Sequence, residues 1–253
     1  MTLLHRIRIA TPAALAHLAV SALVASACAI LVFYVWYPFP YSTLMGGREL
    51  FLLIMSVDVV CGPLLTLIVF SDQKSRLQLT RDIGVVVLLQ LSALTYGLYS
   101  VMAARPVFLA FEGDRFRVVS VPDIDMSRIE DAPESLRTLS LTGPKPVAAV
   151  LAKPDDPGFI ESIRLSISGL HPAFRPDRWR PYDDYRTEVL RAALPLIKLR
   201  ERYPEKQPDI EEIPGETAEL GYLPLLAGYH TDWVVVLSLQ DGQPKAFLPL
   251  DGW

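Results

Sequence analysis

Three runs of mostly apolar residues, 13–36, 50–70 and 83–102, alternate with short polar segments, and hydrophilic sequence fills the chain after residue 105. Each run has about the twenty residues an α-helix needs to cross ~30 Å of hydrocarbon. Within lipid a backbone must satisfy its own hydrogen bonds. The pattern therefore predicts three transmembrane helices within residues 13–104, a polar segment 1–12 before them, and a separate domain, 105–253, after them. The first run is too long for the apolar core of a cleavable signal peptide. Trp36, Tyr37 and Pro38 follow it where small residues would mark a cleavage site, so it reads as a retained span.

Beyond residue 105 the periodicity shortens. Runs 107–112 and 115–121 are rich in strand formers and flank Gly113-Asp114, which predicts a hairpin. Residues 127–140 read as a short helix, acidic early and with Arg137 late; 146–153 reads as a strand, and 159–168 as either. Tyr185, Val189, Ala192, Leu196 and Leu199 recur at three- and four-residue spacing. They predict a core-facing helix from Asp183 or Asp184 to Tyr203, kinked at Pro195. Segments 172–181 and 204–219 are punctuated by proline and read as loops, and 233–239 and 245–250 around Asp241-Gly242 predict a second hairpin. The fold class is thus membrane α-helical, with three transmembrane helices, plus a C-terminal α+β domain.

Charge fixes the expected orientation. Arg6 and Arg8 precede the first span, and Lys74, Arg76 and Arg81 lie in the second loop, whereas the first loop, 37–49, has only Arg48. Basic segments stay on the cytoplasmic side, so the N-terminus is expected in the cytoplasm and the domain 105–253 outside it. Trp36, Tyr37 and Tyr41 fall where an interfacial aromatic belt would hold the outer end of the first span. Residues 1–104 carry six basic and four acidic side chains, for +2, and residues 105–253 carry 18 and 24, for −6. An acidic outer domain argues against a nucleic-acid partner, which demands clustered Lys and Arg. Both cysteines, Cys28 and Cys61, lie within spans, so the outer domain has no disulfide and no thiolate metal site.

Candidate chemistry is sparse. His171 and His230 lack any HExxH or CxxC company, and no nucleophile elbow, Walker loop or GxGxxG occurs. Asp155-Asp156 and Asp183-Asp184 read as caps or solvated turns. No catalytic, cofactor or metal residue is assigned, and the chain reads as non-enzymatic and without a cofactor. The informative polar residues lie in the membrane. Asp58, in the second span, costs at least ~2.5 kcal/mol on insertion scales, so it should face protein. Gln90 lies at comparable depth in the antiparallel third span. Three roles remain open for Asp58: an internal hydrogen bond to Gln90 or Thr95, a polar contact for a partner helix, or a proton relay. Gly62-Pro63 follows one turn later; Pro63 should loosen the span at the Val59 carbonyl, and Gly62 leaves a notch where a helix could pack. Trp179, between Arg178 and Arg180, is either an exposed contact or an anchoring aromatic in an irregular loop.

Across Asp58-Val-Val-Cys-Gly62-Pro63, Lys74, Asp82, Gln90, Thr95-Tyr96-Gly97, Arg105-Pro106 and Asp114-Arg-Phe116, the chain resembles the type IV pilin accessory proteins of the TfpX/TfpZ (FimB-like) family. The likeness is specific over roughly residues 45–120. At the C-terminus Gly252 precedes Trp253, a departure from the family's Pro-Trp ending. The resemblance implies a bacterial inner-membrane protein with a periplasmic C-terminal domain, serving the stability, assembly or surface presentation of one pilin. Its partners would be a type IV pilin subunit, the bilayer and the pilus assembly machinery. Asp58, Gly62, Pro63, Gln90 and Trp179 are the candidate partner-binding residues. The rival readings are a membrane-anchored periplasmic enzyme, for which no clustered nucleophile and base are visible, and a sensor, which would need a cytoplasmic output domain.

Overall fold

The computed structural model describes residues 3–71 and 73–253 and divides into two compact units, one ending at Arg105 and the other beginning at Pro106. Met1, Thr2 and Asp72, which belong to segments expected in the cytoplasm, lie outside the described residues.

The first unit is helical. α1 (Leu3–Ile30) continues through a π-helical turn, Leu31–Trp36. α2 (Tyr41–Leu44) is a single turn, and α3 (Gly47–Val69) and α4 (Arg76–Ala103) are long. Three stretches are long and apolar enough to cross a membrane: Ile7–Trp36, Gly47–Val69 and Arg76–Ala103. α4 starts earlier than its apolar run because Ser75 caps it. The Ser75 hydroxyl accepts from the Gln78 N–H, and the Gln78 side-chain oxygen accepts from the Ser75 N–H. Lys74 Nζ then closes the other side of the turn, donating to the last turn of α3 at Val69 O and to Asp82, each at 2.8 Å.

α3 packs against both α1 and α4, and most of the outer helix faces stay uncovered; Leu23 is 73% exposed. Such faces call for lipid or another protein. Tyr37 and Tyr41 are buried rather than set in an aromatic belt. The Tyr37 hydroxyl donates to Val101 O at 3.0 Å, and its ring lies so close over Gly47 that a Cβ there would be 2.6 Å from it. A tyrosine that finds a main-chain acceptor inside the bundle has no need of the interface. Exposed aromatics toward this end include Tyr34, Phe39 and, on α4, Tyr96 and Tyr99.

The second unit is built on a mixed eight-stranded sheet. β1 (Pro106–Phe111) and β2 (Phe116–Ser120) form the expected antiparallel hairpin, turning at Gly113 with φ 80°. β3 (Lys145–Ala149) runs parallel to β1, and β4 (Trp179–Pro181), in a stretch expected to be loop, pairs with β3 at one edge. Past β2 come β6 (Leu220–Ala227), parallel to it, then β7 (His230–Ser238) and β8 (Pro244–Leu248), the expected second hairpin. β5 (Leu194–Pro195) also pairs with β6.

Prolines cut the expected helices short. Residues 127–140 hold a 3-10 segment, Met126–Asp131, and α5 (Glu134–Arg137), parted at Pro133. The stretch 159–168 resolves as α6 (Phe159–Ile167). The expected helix to Tyr203 breaks at Pro195 instead of kinking: α7 (Arg186–Ala192) ends, Leu194–Pro195 pairs with Tyr222 and Gly221, and α8 (Leu196–Arg202) restarts. Pro195 lacks an N–H and its ring clashes with the Arg191 carbonyl. The apolar stripe still marks burial correctly, since Val189, Leu196 and Leu199 are all 0% exposed. The stretch 204–219 carries α9 (Gln207–Glu211), whose Ile210 joins the core.

β6 gives no clear signal in sequence, because it is buried on both faces and interrupted by Gly221 and Pro224. Its pairing accommodates both. β5 meets β6 at 221–222 and β2 meets it at 225–226, so Pro224 falls in the gap between them, where no N–H is needed. The C-terminal Gly252 lies on this strand; a Cβ there would be 2.5 Å from Val234 and 3.3 Å from Pro224, which leaves no room for a larger residue. Trp253 beyond it is held by Arg115, 4.6 Å over its ring, and by Arg202, which donates to its carbonyl oxygen.

Candidate functional site

Asp58 and Gln90 meet, but not as two side chains. Gln90 Nε2 donates to the main-chain oxygen of Asp58 at 3.0 Å, and Thr95 donates to its own helix at Leu91 O. Among the described residues nothing hydrogen-bonds or ion-pairs the half-buried Asp58 carboxyl group. The reason is Gly62. The Gln90 amide fills the space above it so closely that a Cβ at position 62 would lie 2.2 Å from Nε2. The notch expected to receive a partner helix is thus occupied by the chain's own third long helix. Pro63 is half-buried beside it, and α3 continues through Pro63 to Val69.

Because Nε2 must face a carbonyl, the Gln90 Oε1 turns the other way. That oxygen is buried and has no hydrogen-bond partner among the described residues. Both residues thus carry a side-chain acceptor without a donor.

Asp58 and Gln90 are among the residues that line a cleft of about 360 Å³ between the three long helices. Met55, Asp58 and Thr66 of α3 contribute to it, as do Val87, Gln90, Leu91 and Leu94 of α4. From α1 come Ala13, Ala16, His17, Val20, Ser21 and Val24, spaced three and four apart as one helix face demands. That face is rich in small residues, and from Ala13 to Ala25 it runs about 18 Å at 1.5 Å per residue. His17 Nδ1 lies 2.6 Å from the hydroxyl of the buried Thr66, tying α1 to α3. The cleft is apolar in its walls and polar where His17, Asp58, Thr66 and Gln90 face it. Sequence reading missed His17 and Thr66. The available signal was that His17 is a lone ionisable residue in an apolar run, on the same helical repeat as Ala13 and Ser21.

Trp179 does not belong to a contact surface. It is 0% exposed, meets Phe108 edge-to-face with centroids 4.8 Å apart, and donates from Nε1 to Ala173 O at 2.8 Å. Of its two expected roles it has the anchoring one. His171 packs on Phe174; burial first, and the nearby Arg117 guanidinium second, hold its imidazole below the usual histidine range. His230 is exposed beside Asp232. Among the described residues no three His, Cys, Asp or Glu side chains gather as metal ligands would.

The profile of the fimbrial assembly protein FimB family matches residues 5–46, which include the α1 wall of the cleft. Two fimbrial assembly proteins of Dichelobacter nodosus, from serogroups E1 and I, are each 34% identical over 227 residues, covering 88% of both chains. A third from that organism, from serogroups C1 and C2, is 44% identical over 116 residues, 46% of this chain and 88% of the relative. No solved structure matches the chain. Three membrane-length apolar helices, a mixed-sheet C-terminal domain and a likeness that runs through both units place this chain in the FimB family of fimbrial assembly proteins, as a membrane-associated protein of fimbrial biogenesis.

Proposed function

We propose that the protein is a non-enzymatic accessory factor of type IV pilus biogenesis in the bacterial inner membrane, which binds a pilin subunit before or during its entry into the fibre. The N-terminus lies in the cytoplasm and the C-terminal domain in the periplasm. The pilin's apolar membrane helix occupies the cleft, and the periplasmic domain stands beside its globular head. Binding stabilises the subunit by mass action, roughly RT ln(1 + [L]/Kd), and needs no cofactor. The observation that carries this reading is the cleft itself. It is open between α1 and α4, lined at helical spacing and bordered by the small side chains of Ala13, Ala16 and Ser21. Such residues let a further helix approach closely in lipid, where packing and hydrogen bonds rather than hydrophobicity drive association.

The test is co-purification from detergent of the full chain and its co-expressed pilin. Wild type should recover the pilin, and Ala16→Phe, which fills the cleft without touching its polar residues, should recover markedly less at equal protein level. Absence of pilin from the wild-type sample, or equal recovery by the filled variant, would sink the proposal.

A further inference from the structure

The cleft has an electrostatic preference as well as a shape. The Asp58 carboxyl group has no donor among the described residues, and the neighbouring Gln90 Oε1 is buried without one. The Gln90 amide is anchored on the Asp58 main chain and does not reach its carboxyl group. In the other polar pair facing the cleft, His17 Nδ1 and the Thr66 hydroxyl lie 2.6 Å apart. Ser21 remains a hydroxyl that can donate or accept. An acyl chain brings no donor, and an amide or hydroxyl would bring an acceptor needing its own partner. An ammonium or guanidinium group offers several donors and no acceptor, matching a carboxyl group that no neighbour supplies with a donor. Opposite charges within the membrane are found paired for this reason.

We infer that the partner helix in this cleft carries a cationic nitrogen at the depth of Asp58, and that the Asp58 carboxylate accepts from it. This rests on the reading that a pilin membrane helix fills the cleft, and it adds the feature by which that helix is chosen. An apolar helix without the cation would leave the Asp58 carboxyl group without a donor, and would bind less tightly. The small face of α1 provides fit, and Asp58 provides selection.

The experiment separates the two claims. A photocrosslinking amino acid at Val24, on the cleft wall, reports occupancy in the full chain co-expressed with its pilin. Against this background Asp58→Asn keeps the shape but removes the charge, and Asp58→Glu keeps the charge. Asparagine is no harder to insert than aspartate, so protein levels should hold. The crosslink to pilin should fall at least about fivefold in Asp58→Asn and stay within about twofold of wild type in Asp58→Glu, given the modest free energies of polar contacts between membrane helices. Undiminished crosslinking in Asp58→Asn overturns the cation while leaving the cleft occupied. Equal loss in both variants at normal levels points to packing and also overturns it. No pilin crosslink from Val24 in the otherwise wild-type chain, whether lipid or a second copy of this chain is captured instead, removes the occupancy reading as well.

Discussion

Trp179 separates a core role from a contact role, and its surroundings set the size of the effect. The indole is fully buried against Phe108 and its N–H satisfies the Ala173 carbonyl. Trp179→Ala empties the largest buried side chain of this unit, at a cost of about 3–5 kcal/mol. Trp179→Phe keeps an aromatic ring but orphans the Ala173 oxygen, at about 1–3 kcal/mol. A domain of this size shifts its midpoint by roughly 2–4 °C per kcal/mol, so the alanine variant should melt roughly 6–20 °C lower and the phenylalanine variant at an intermediate temperature. Against a typical stability of about 5–15 kcal/mol, the alanine variant should still fold at low temperature. Scanning calorimetry of the full chain in detergent reads the transition of the C-terminal domain. If both variants melt within about a degree of wild type while pilin recovery drops, Trp179 is a recognition residue and its assignment to the core is wrong.

Three further outcomes follow from the geometry. Gly62→Ala drives a Cβ into Gln90 and should loosen α3 against α4 by about 1–3 kcal/mol, read as faster proteolysis in detergent; adding Gln90→Ala should restore much of the loss. His171 is held neutral in the fold chiefly by burial, so its folded value lies below the ordinary one near 6.5. The unfolded chain therefore takes up the proton first as pH falls. Stability is unaffected by this group above that value and declines on acidification until pH passes the folded value. His171→Gln should flatten that part of the pH–melting curve, and an unchanged slope would assign the decline to other groups. For orientation, a reporter active only in the periplasm should be active when fused after Arg105 and silent after Arg76; the opposite pattern would invert the assignment of sides.

The spans were legible because a membrane helix announces itself by length and composition, and the shared depth of Asp58 and Gln90 followed from antiparallel geometry. What stayed hidden was which atoms met. Periodicity cannot show that the Gln90 amide would take the Gly62 notch and bond the main chain of Asp58, leaving the carboxyl group free for the cleft. In the C-terminal domain, Val189, Leu196 and Leu199 were recognisable as core, yet Pro195 ended their helix because the freed Leu194–Pro195 segment could pair with β6. β6 itself was obscured by Gly221 and Pro224, residues that argue against a central strand unless the pairing gap at Pro224 is known. Tyr37 and Tyr41 show the same limit. Their position suits a membrane interface, and the packing over Gly47 and the bond to Val101 explain why Tyr37 is buried instead.

The central claim is that a pilin helix lies between α1 and α4. Ala16 lines the cleft, and Leu15, its neighbour on α1, is 58% exposed and lies about 100° further round the helix, on the side away from the cleft-lining positions. A photocrosslinking residue placed at each position in turn, in cells making the cognate pilin, tests the claim most directly. The account expects a strong pilin adduct from position 16 and little from position 15. An adduct of equal strength from both, or from position 15 alone, would contradict it.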